Sequence, residues 1–252
     1  ELSPEFRRCP LLVMQSAGGV LSAERVVEKP ITTALSGPAA GALGGSVVAG
    51  VAGFNNAITL DAGGTSTDIC LIQNGKPNIT TEATVGSFPI RLPMIDIRTI
   101  GTGGGSIARI TPEGNLNVGP ISAGAVPGPM CYPKGGDEPT ITDANLVLGR
   151  LPSQLIGGEI SLSVERSRQG IADLAHRLGM DMSTEQLASG IIDIANWNQA
   201  NKIRQITIQR GIDPRALALL SFGGSGPAQS PAVMELLGMS ACLIPPNPGN
   251  LM

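Results

Sequence analysis

Apolar and polar positions follow two rhythms along this chain, and the changes of rhythm mark its elements. An apolar run at 11–15 reads as a short strand, closed by the turn Ser16-Ala17-Gly18-Gly19. Ser36-Gly37-Pro38 opens a predicted helix over 38–51, since proline is tolerated in a first helical turn. Its Ala and Gly content suits close packing against a neighbour more than it suits helix propensity. Ala57-Ile58-Thr59-Leu60-Asp61 and Thr67-Asp68-Ile69-Cys70-Leu71-Ile72 read as the strands of a hairpin around Ala62-Gly63-Gly64-Thr65-Ser66. Asn74-Gly75 is a further turn signal that continues the antiparallel meander. A third glycine-rich crossing runs over 99–110 and ends on the apolar Ile107 and Ile110. Pro, Gly and Asn then dominate 111–139, which predicts a long irregular excursion.

Helical spacing returns at 143–148 and at 164–178. Ser183 and Gln186 have the spacing of a capping box, and Leu187, Ile191, Ile194, Ile203 and Ile206 carry a helix towards a terminal Gly211. The apolar strand 217–222 runs into Gly223-Gly224-Ser225-Gly226-Pro227, and a helix over 231–237 stops at Gly238. Strands and helices mixed throughout give an α/β class.

Composition narrows the function. The 252 residues, 42% hydrophobic and 15% charged, are enough for a sizeable core. A net charge of −3 argues against a nucleic-acid groove or a basic membrane-binding face, and 2% aromatic content argues against base stacking. No stretch reads as a signal peptide or bilayer span; 34–52 comes nearest, and its glycines, serines and proline fit a buried helix better. The cysteines Cys9, Cys70, Cys131 and Cys242 are far apart, so neither a disulfide framework nor a zinc site is expected, and a reducing cytoplasm is the default. The one histidine, His176, is expected to be a surface or packing residue; a histidine-rich metal centre is excluded by count.

Glycine carries the candidate chemistry. The 34 glycines cluster at Gly63-Gly64, Gly103-Gly104-Gly105 and Gly223-Gly224, where backbone must turn tightly or approach a ligand. In the 60–68 hairpin, backbone amides of a glycine-rich turn are able to bind an anion, with Thr65, Ser66 and Thr67 adding hydroxyl donors. Asp61, ending its strand, is placed to hold a metal-bound water, because hard cations prefer oxygen ligands. Asp68 is the weaker candidate, as a loop stabiliser. The alternative is a polar hairpin turn with no ligand.

The order of small-residue helix, strand, Asp61 to Asp68 hairpin and, later, strand, Gly223-Gly224-Ser225-Gly226-Pro227 and helix resembles the second half of the actin-like ATPase (ribonuclease H-like) superfamily. A closer resemblance is to hydantoinase A, 5-oxoprolinase and the acetone and acetophenone carboxylases. It rests on Met14-Gln15-Ser16-Ala17-Gly18-Gly19, Ser36-Gly37-Pro38-Ala39-Ala40-Gly41 and Thr99-Ile100-Gly101-Thr102-Gly103-Gly104-Gly105-Ser106-Ile107-Ala108. Thr142-Asp143-Ala144-Asn145 and Arg210-Gly211-Ile212-Asp213-Pro214-Arg215 complete it, in the family's order over nearly the whole chain.

The resemblance implies an actin-like ATPase lobe, a mixed sheet flanked by helices with a long irregular insertion, over 11–252. The 111–180 stretch would be the insertion or subdomain. It implies ATP with Mg²⁺ or Mn²⁺, in-line phosphoryl transfer, and a cyclic amide substrate of hydantoin or 5-oxoproline type. A second, hydantoinase B-type subunit or domain is the implied partner. Gly63, Gly64, Thr65, Ser66 and Thr67 would form a phosphate loop, with Asp61 the catalytic and metal-binding carboxylate. Gly223, Gly224, Ser225 and Gly226 would pack against adenosine. Gly103 and Gly104 would approach nucleotide or substrate, with a structural turn as the alternative. Asp96 and Asp143 are further metal or polar site candidates, with helix capping or a surface turn as the alternative. A carboxylase subunit, or a nucleotide-gated scaffold or reactivase of the same fold, are the competing functions.

Some features depart from the pattern. The first phosphate loop of the fold is not found, and 1–10 resembles a remnant of an upstream segment joined at Arg8-Cys9-Pro10. The expectation is weak ATP turnover by 1–252 alone. Ala228-Gln229 stands where many relatives carry His after Gly-Pro, and Arg98 where relatives often have His.

Overall fold

A computed structural model describes residues 10–85, 88–155 and 158–251, so the 1–9 part of the expected upstream remnant lies outside the described residues. The chain enters through a small hairpin, β1 (Leu12–Met14) with β2 (Val20–Ser22), and a short helix α1 (Ala23–Glu28). Helix α2 (Ser36–Val51) precedes the glycine-rich hairpin, β3 (Ala57–Ala62) and β4 (Thr67–Gln73), which β5 (Lys76–Pro77) extends. Short strands follow: β6 (Ile79–Thr80), β7 (Ala83–Val85), β8 (Phe88–Ile90) and β9 (Met94–Ile95). Then come β10 (Ile97–Ile100), β11 (Ser106–Ile110), β12 (Leu116–Ser122) and α3 (Ile141–Val147). A two-stranded ladder, β13 (Gln154–Leu155) with β14 (Ile160–Ser161), leads to α4 (Val164–Leu178) and α5 (Thr184–Ile208). The described chain ends through β15 (Ala218–Phe222), α6 (Gly226–Leu237) and β16 (Cys242–Leu243).

The main sheet has the order β10-β4-β3-β15-β16. β4 runs antiparallel to both its neighbours, β10 and β3, whereas β3, β15 and β16 are parallel. β3 is buried along its whole length, which explains a near-continuous apolar run rather than clean alternation. Its two faces still differ. Ile58 and Leu60 join Ile69, Leu71 and Leu219 against Ala200, Ile203 and Ile206 of α5 and Val233 and Leu237 of α6. Burial of each of the Ile, Leu and Val side chains contributes roughly 1.5–3 kcal/mol. The opposite face packs small residues: Ala57 with Ala49, and Cys70 with Ala39 and Ala42. Gly45 shows why α2 is built of Ala and Gly, since a Cβ there would lie 2.8 Å from Leu220 Cδ2 and 3.2 Å from Thr59 Cγ2. A mixed sheet covered by helices on both faces is the actin-like ATPase lobe the sequence predicts.

A second apolar cluster lies outside the sheet. Ala108 and Val118 of the β11–β12 ladder pack with Ile141 and Ala144 of α3, Ile171 and Leu174 of α4, and Leu187, Ile191 and Ala195 of α5. The expected irregular excursion over 111–139 therefore contains a strand, β12, paired antiparallel with β11 across a register shift between Ser106 and Ala108. Its glycine and proline, Gly119-Pro120, hide the strand from a pattern search.

Helix ends follow the sequence closely. α4 matches the predicted 164–178, and the Ser183–Gln186 capping box is present in both directions. α6 differs: it begins at Gly226 rather than 231, with Pro231 inside it. Pro227 in the first turn gives up an N–H that has no intrahelical acceptor, and Gly238 at φ 65° ends the helix as expected.

Candidate functional site

The three glycine clusters meet. The β3–β4 register places Asp61 opposite Asp68 and Ala62 opposite Thr67, and the loop closes with the Gly63 amide donating to the Ser66 carbonyl at 3.0 Å. The turn after β10 lies directly on this loop: Gly104 N donates to Gly63 O at 2.9 Å and Gly105 N to Gly64 O at 2.5 Å. A Cβ on Gly103 would stand 2.7 Å from Ser66 N and 2.8 Å from Gly63 O, so glycine is required there by contact between two backbones. The turn after β15 closes the third side, with Ser225 N donating to Ala62 O at 2.8 Å. Gly223, at φ +80°, would put a Cβ 2.5 Å from Ala62 O and 2.6 Å from Asp61 Oδ1.

These turns floor a cleft of about 270 Å³. Gly63, Gly64, Gly104, Gly224 and Ser225 form one wall. Thr142 and Asn145 of α3, with Tyr132, Leu151 and Leu155, form the other. Gly64 and Gly224 differ from Gly103 and Gly223, because a Cβ on either would meet nothing within 4 Å. Thr65 is exposed and Ser66 half-buried at the hairpin tip. Thr67 points the other way. It is fully buried, its hydroxyl donates to the Thr102 carbonyl, and it accepts from Gln199 Nε2 at 3.2 Å. It therefore ties two loops together instead of offering a free donor to a phosphate. Gln199 Nε2 also donates to Gln229 Oε1 at 2.6 Å, and Gln229 Nε2 to Ser225 Oγ at 2.7 Å. This buried side-chain relay links all three glycine turns.

Asp61 is 8% exposed at the end of β3. Burial, and then the neighbouring Asp68 charge, push its pKa up to about 6, and no hydrogen bond or cation acts in the opposite direction. Burial also raises Asp68, against the effect of the Thr99 hydroxyl that donates to it at 2.5 Å. Among the described residues, then, nothing offsets the burial of the Asp61 carboxylate at the base of the hairpin loop.

The structure does not bring Asp96 or Asp143 to Asp61 as further ligands. Among the described residues no group of three or more His, Cys, Asp or Glu side chains is placed to hold a metal. Asp96 is buried between Arg98, whose Nε is 2.8 Å away, and Arg210. Asp143 is fully buried, and its oxygens accept from Met130 N at 3.2 Å, Cys131 N at 2.8 Å and Thr140 N at 2.8 Å. The hydroxyls of Thr140 and Ser167 add two more bonds at 2.7 Å each. Asp143 closes a capping box on α3 with Thr140, the helix-capping alternative weighed for it. His176 is exposed in the last turn of α4.

Sequence reasoning missed Tyr132, Asn145, Leu151, Leu155, Gln199 and Gln229 as site residues. Asn145 lies in a quoted motif and Gln229 at a noted departure. The others carry no local signal, because only tertiary packing brings them to the glycine turns.

Comparison with known proteins bears on the family and the fold. The hydantoinase/oxoprolinase family model matches residues 1–252. The caprolactamase alpha subunit of Pseudomonas jessenii is 42% identical over 238 residues, covering 94% of this chain and 34% of that protein. The crystal structure of the ATP-dependent caprolactamase from the same organism superposes with a TM-score of 0.82 at 40% identity, over 94% of this chain and 34% of that one. 5-Oxoprolinase 1 of Arabidopsis thaliana is 36% identical over 251 residues, 93% of this chain and 19% of that protein. A nucleotide-free acetone carboxylase structure, from work on ATP-dependent acetone carboxylation, gives a TM-score of 0.85 at 29% identity, over 96% of this chain and 34% of that one. The chain thus spans about a third or less of the length of these relatives. No helix among the described residues is long and apolar enough to cross a membrane. Motifs, sheet topology and full-length family match lead to one assignment: the chain belongs to the hydantoinase/oxoprolinase family.

Proposed function

We propose that this chain forms the nucleotide-binding part of an ATP-dependent enzyme that opens a cyclic amide of hydantoin, lactam or 5-oxoproline type. The observation that carries the reading is the convergence of Gly63-Gly64, Gly103-Gly104-Gly105 and Gly223-Gly224 on one cleft beside Asp61. Backbone amides of Gly64, Thr65 and Ser66 would hold phosphate oxygens, assisted by the Thr65 and Ser66 hydroxyls. Gly224 and Ser225 would lie against the nucleoside.

The residues present suit a hard divalent cation. Mg²⁺ keeps several waters and needs few protein ligands when phosphates supply the rest. Asp61, buried and uncompensated, is the group that would hold Mg²⁺ or Mn²⁺ through those waters. Bound there, the cation would supply neutralisation of phosphate charge during transfer. The arginine partners of Asp96 and the backbone partners of Asp143 support leaving this role to Asp61.

The similarity to acetone carboxylase favours a second reading, an ATP-dependent carboxylase subunit. One panel separates them. The intact protein, with its partner subunit, is assayed for phosphate release with hydantoin, a lactam, 5-oxoproline, or a ketone plus bicarbonate. Ring-dependent release supports the hydrolase, and ketone- and bicarbonate-dependent release supports the carboxylase. Nucleotide-dependent partner binding with no stimulated release would sink both and leave a scaffold or reactivase.

A further inference from the structure

We propose that Asn145 reads the edge of a purine base and gives the cleft its preference for adenine; this deepens the nucleotide reading above and rests on it. Asn145 is 2% exposed, and its side-chain oxygen is buried without a hydrogen-bond donor. A buried amide carbonyl is costly to leave unpaired, and most such groups in folded proteins have partners. Asn145 is among the residues that line the cleft, the side from which a ligand would supply the missing donor.

The backbone around Asn145 is fixed from both sides. On its N-terminal side, Thr140 and Asp143 close the capping box, and the Thr142 hydroxyl donates to Gly104 O at 2.8 Å. On its C-terminal side, the Asn145 carbonyl accepts from Arg150 N at 2.9 Å. The helical turn that carries Asn145 is therefore held in place, tied through Thr142 to the same glycine turn that touches the Gly63-Gly64 loop.

The rest of the cleft decides the ligand class. Gly63, Gly64 and Gly104 offer backbone to an anionic group, while Tyr132, Leu151 and Leu155 offer apolar surface to a flat ring. A side-chain amide complements the adenine edge that presents the 6-amino donor beside a ring-nitrogen acceptor. On the edge that carries N7, guanine presents two acceptors, O6 and N7, so in either orientation the amide oxygen would face an acceptor and lose one of the two bonds.

The test measures binding by calorimetry to the intact protein, without amide substrate, for four probes. These are ATP, GTP, purine riboside triphosphate, which lacks the 6-amino group, and tripolyphosphate, which lacks the base. The parent is expected to bind ATP at least about tenfold more tightly than GTP or purine riboside triphosphate. Asn145→Leu keeps similar volume without the amide. It is expected to lose that advantage while binding tripolyphosphate as the parent does. The probe series on the parent stands even where the variant fails to fold. Equal parental affinity for ATP and purine riboside triphosphate would overturn the assignment, as would a folded Leu variant that retains the ATP preference. Binding of tripolyphosphate with no gain from any base removes the role of Asn145 and leaves the phosphate loop. If the parent binds none of the four, the nucleotide reading falls and this inference with it.

Discussion

The Asp61 carboxyl has its pKa pushed up to about 6, with burial the first cause and Asp68 the second. The folded state raises this pKa above the ordinary 3.8, so the native protein binds the proton more tightly than the unfolded chain does. The resulting stabilisation is full below about pH 4, declines as pH rises through about 6, and is absent above that. Its size is on the order of 3 kcal/mol. Asp61→Asn removes the ionisation. The variant is expected to gain a few degrees of Tm over the parent at about pH 8 and nothing at about pH 4. Parallel Tm–pH curves for the two proteins would refute this account of Asp61. Under the proposed function, the same variant of the intact protein is expected to lose ATP turnover by two orders of magnitude or more.

Two glycines separate structural from functional need at the same scale. Gly103→Ala drives a methyl into Ser66 N and Gly63 O, both backbone atoms. It is expected to cost roughly 1–3 kcal/mol in a urea titration. Gly64→Ala meets nothing within 4 Å, so its stability is expected to stay within about 0.5 kcal/mol of the parent. Its nucleotide affinity is nevertheless expected to fall, because the methyl enters the space a phosphate would use. Unchanged affinity in Gly64→Ala would move the phosphate site away from this loop. Sequence alone marked both glycines but did not distinguish them, since the distinction depends on which backbone crosses behind each one.

At the scale of elements, what was legible was what is local. Capping at Ser183, the stop at Gly238 and the β3–β4 hairpin all depend on residues within a few positions of one another. β12 and the early start of α6 were not legible, because Gly119-Pro120 and Pro231 interrupt the patterns that tertiary pairing sustains. Asp143 illustrates the same limit in the site. Its partners Met130, Cys131 and Ser167 lie 12 to 24 residues away, and no spacing rule announces them. With five hydrogen bonds on a buried carboxylate, Asp143→Ala leaves several buried donors unpaired. The expected loss is about 3 kcal/mol or more in urea unfolding. If Asp143 instead held a metal, EDTA would lower parental stability by a similar amount; no EDTA effect is expected.

The molecule as a whole is organised around α5. Over its 25 residues, about 37 Å, the helix serves two apolar clusters in succession. Leu187, Ala188, Ile191, Ile192 and Ala195 belong to the cluster of α3, α4 and the β11–β12 ladder. Ala200, Ile203 and Ile206 belong to the sheet cluster with α6. Between them the buried positions turn polar, at Asn196 and Gln199, and Gln199 is the residue whose amide reaches Thr67 and Gln229 behind the glycine turns. The helix thus holds the two sides of the cleft at a fixed separation. Asn198→Pro tests this directly, since proline in a helix interior removes a backbone hydrogen bond and costs about 3 kcal/mol or more. The parent is expected to unfold in one urea transition seen alike by far-ultraviolet circular dichroism and by its one tryptophan, Trp197. In the variant the two signals are expected to separate as the clusters uncouple, with nucleotide affinity falling because the cleft walls no longer share a rigid strut. A single coincident transition in Asn198→Pro would show instead that the backbone contacts between the glycine turns are sufficient to hold the two clusters together.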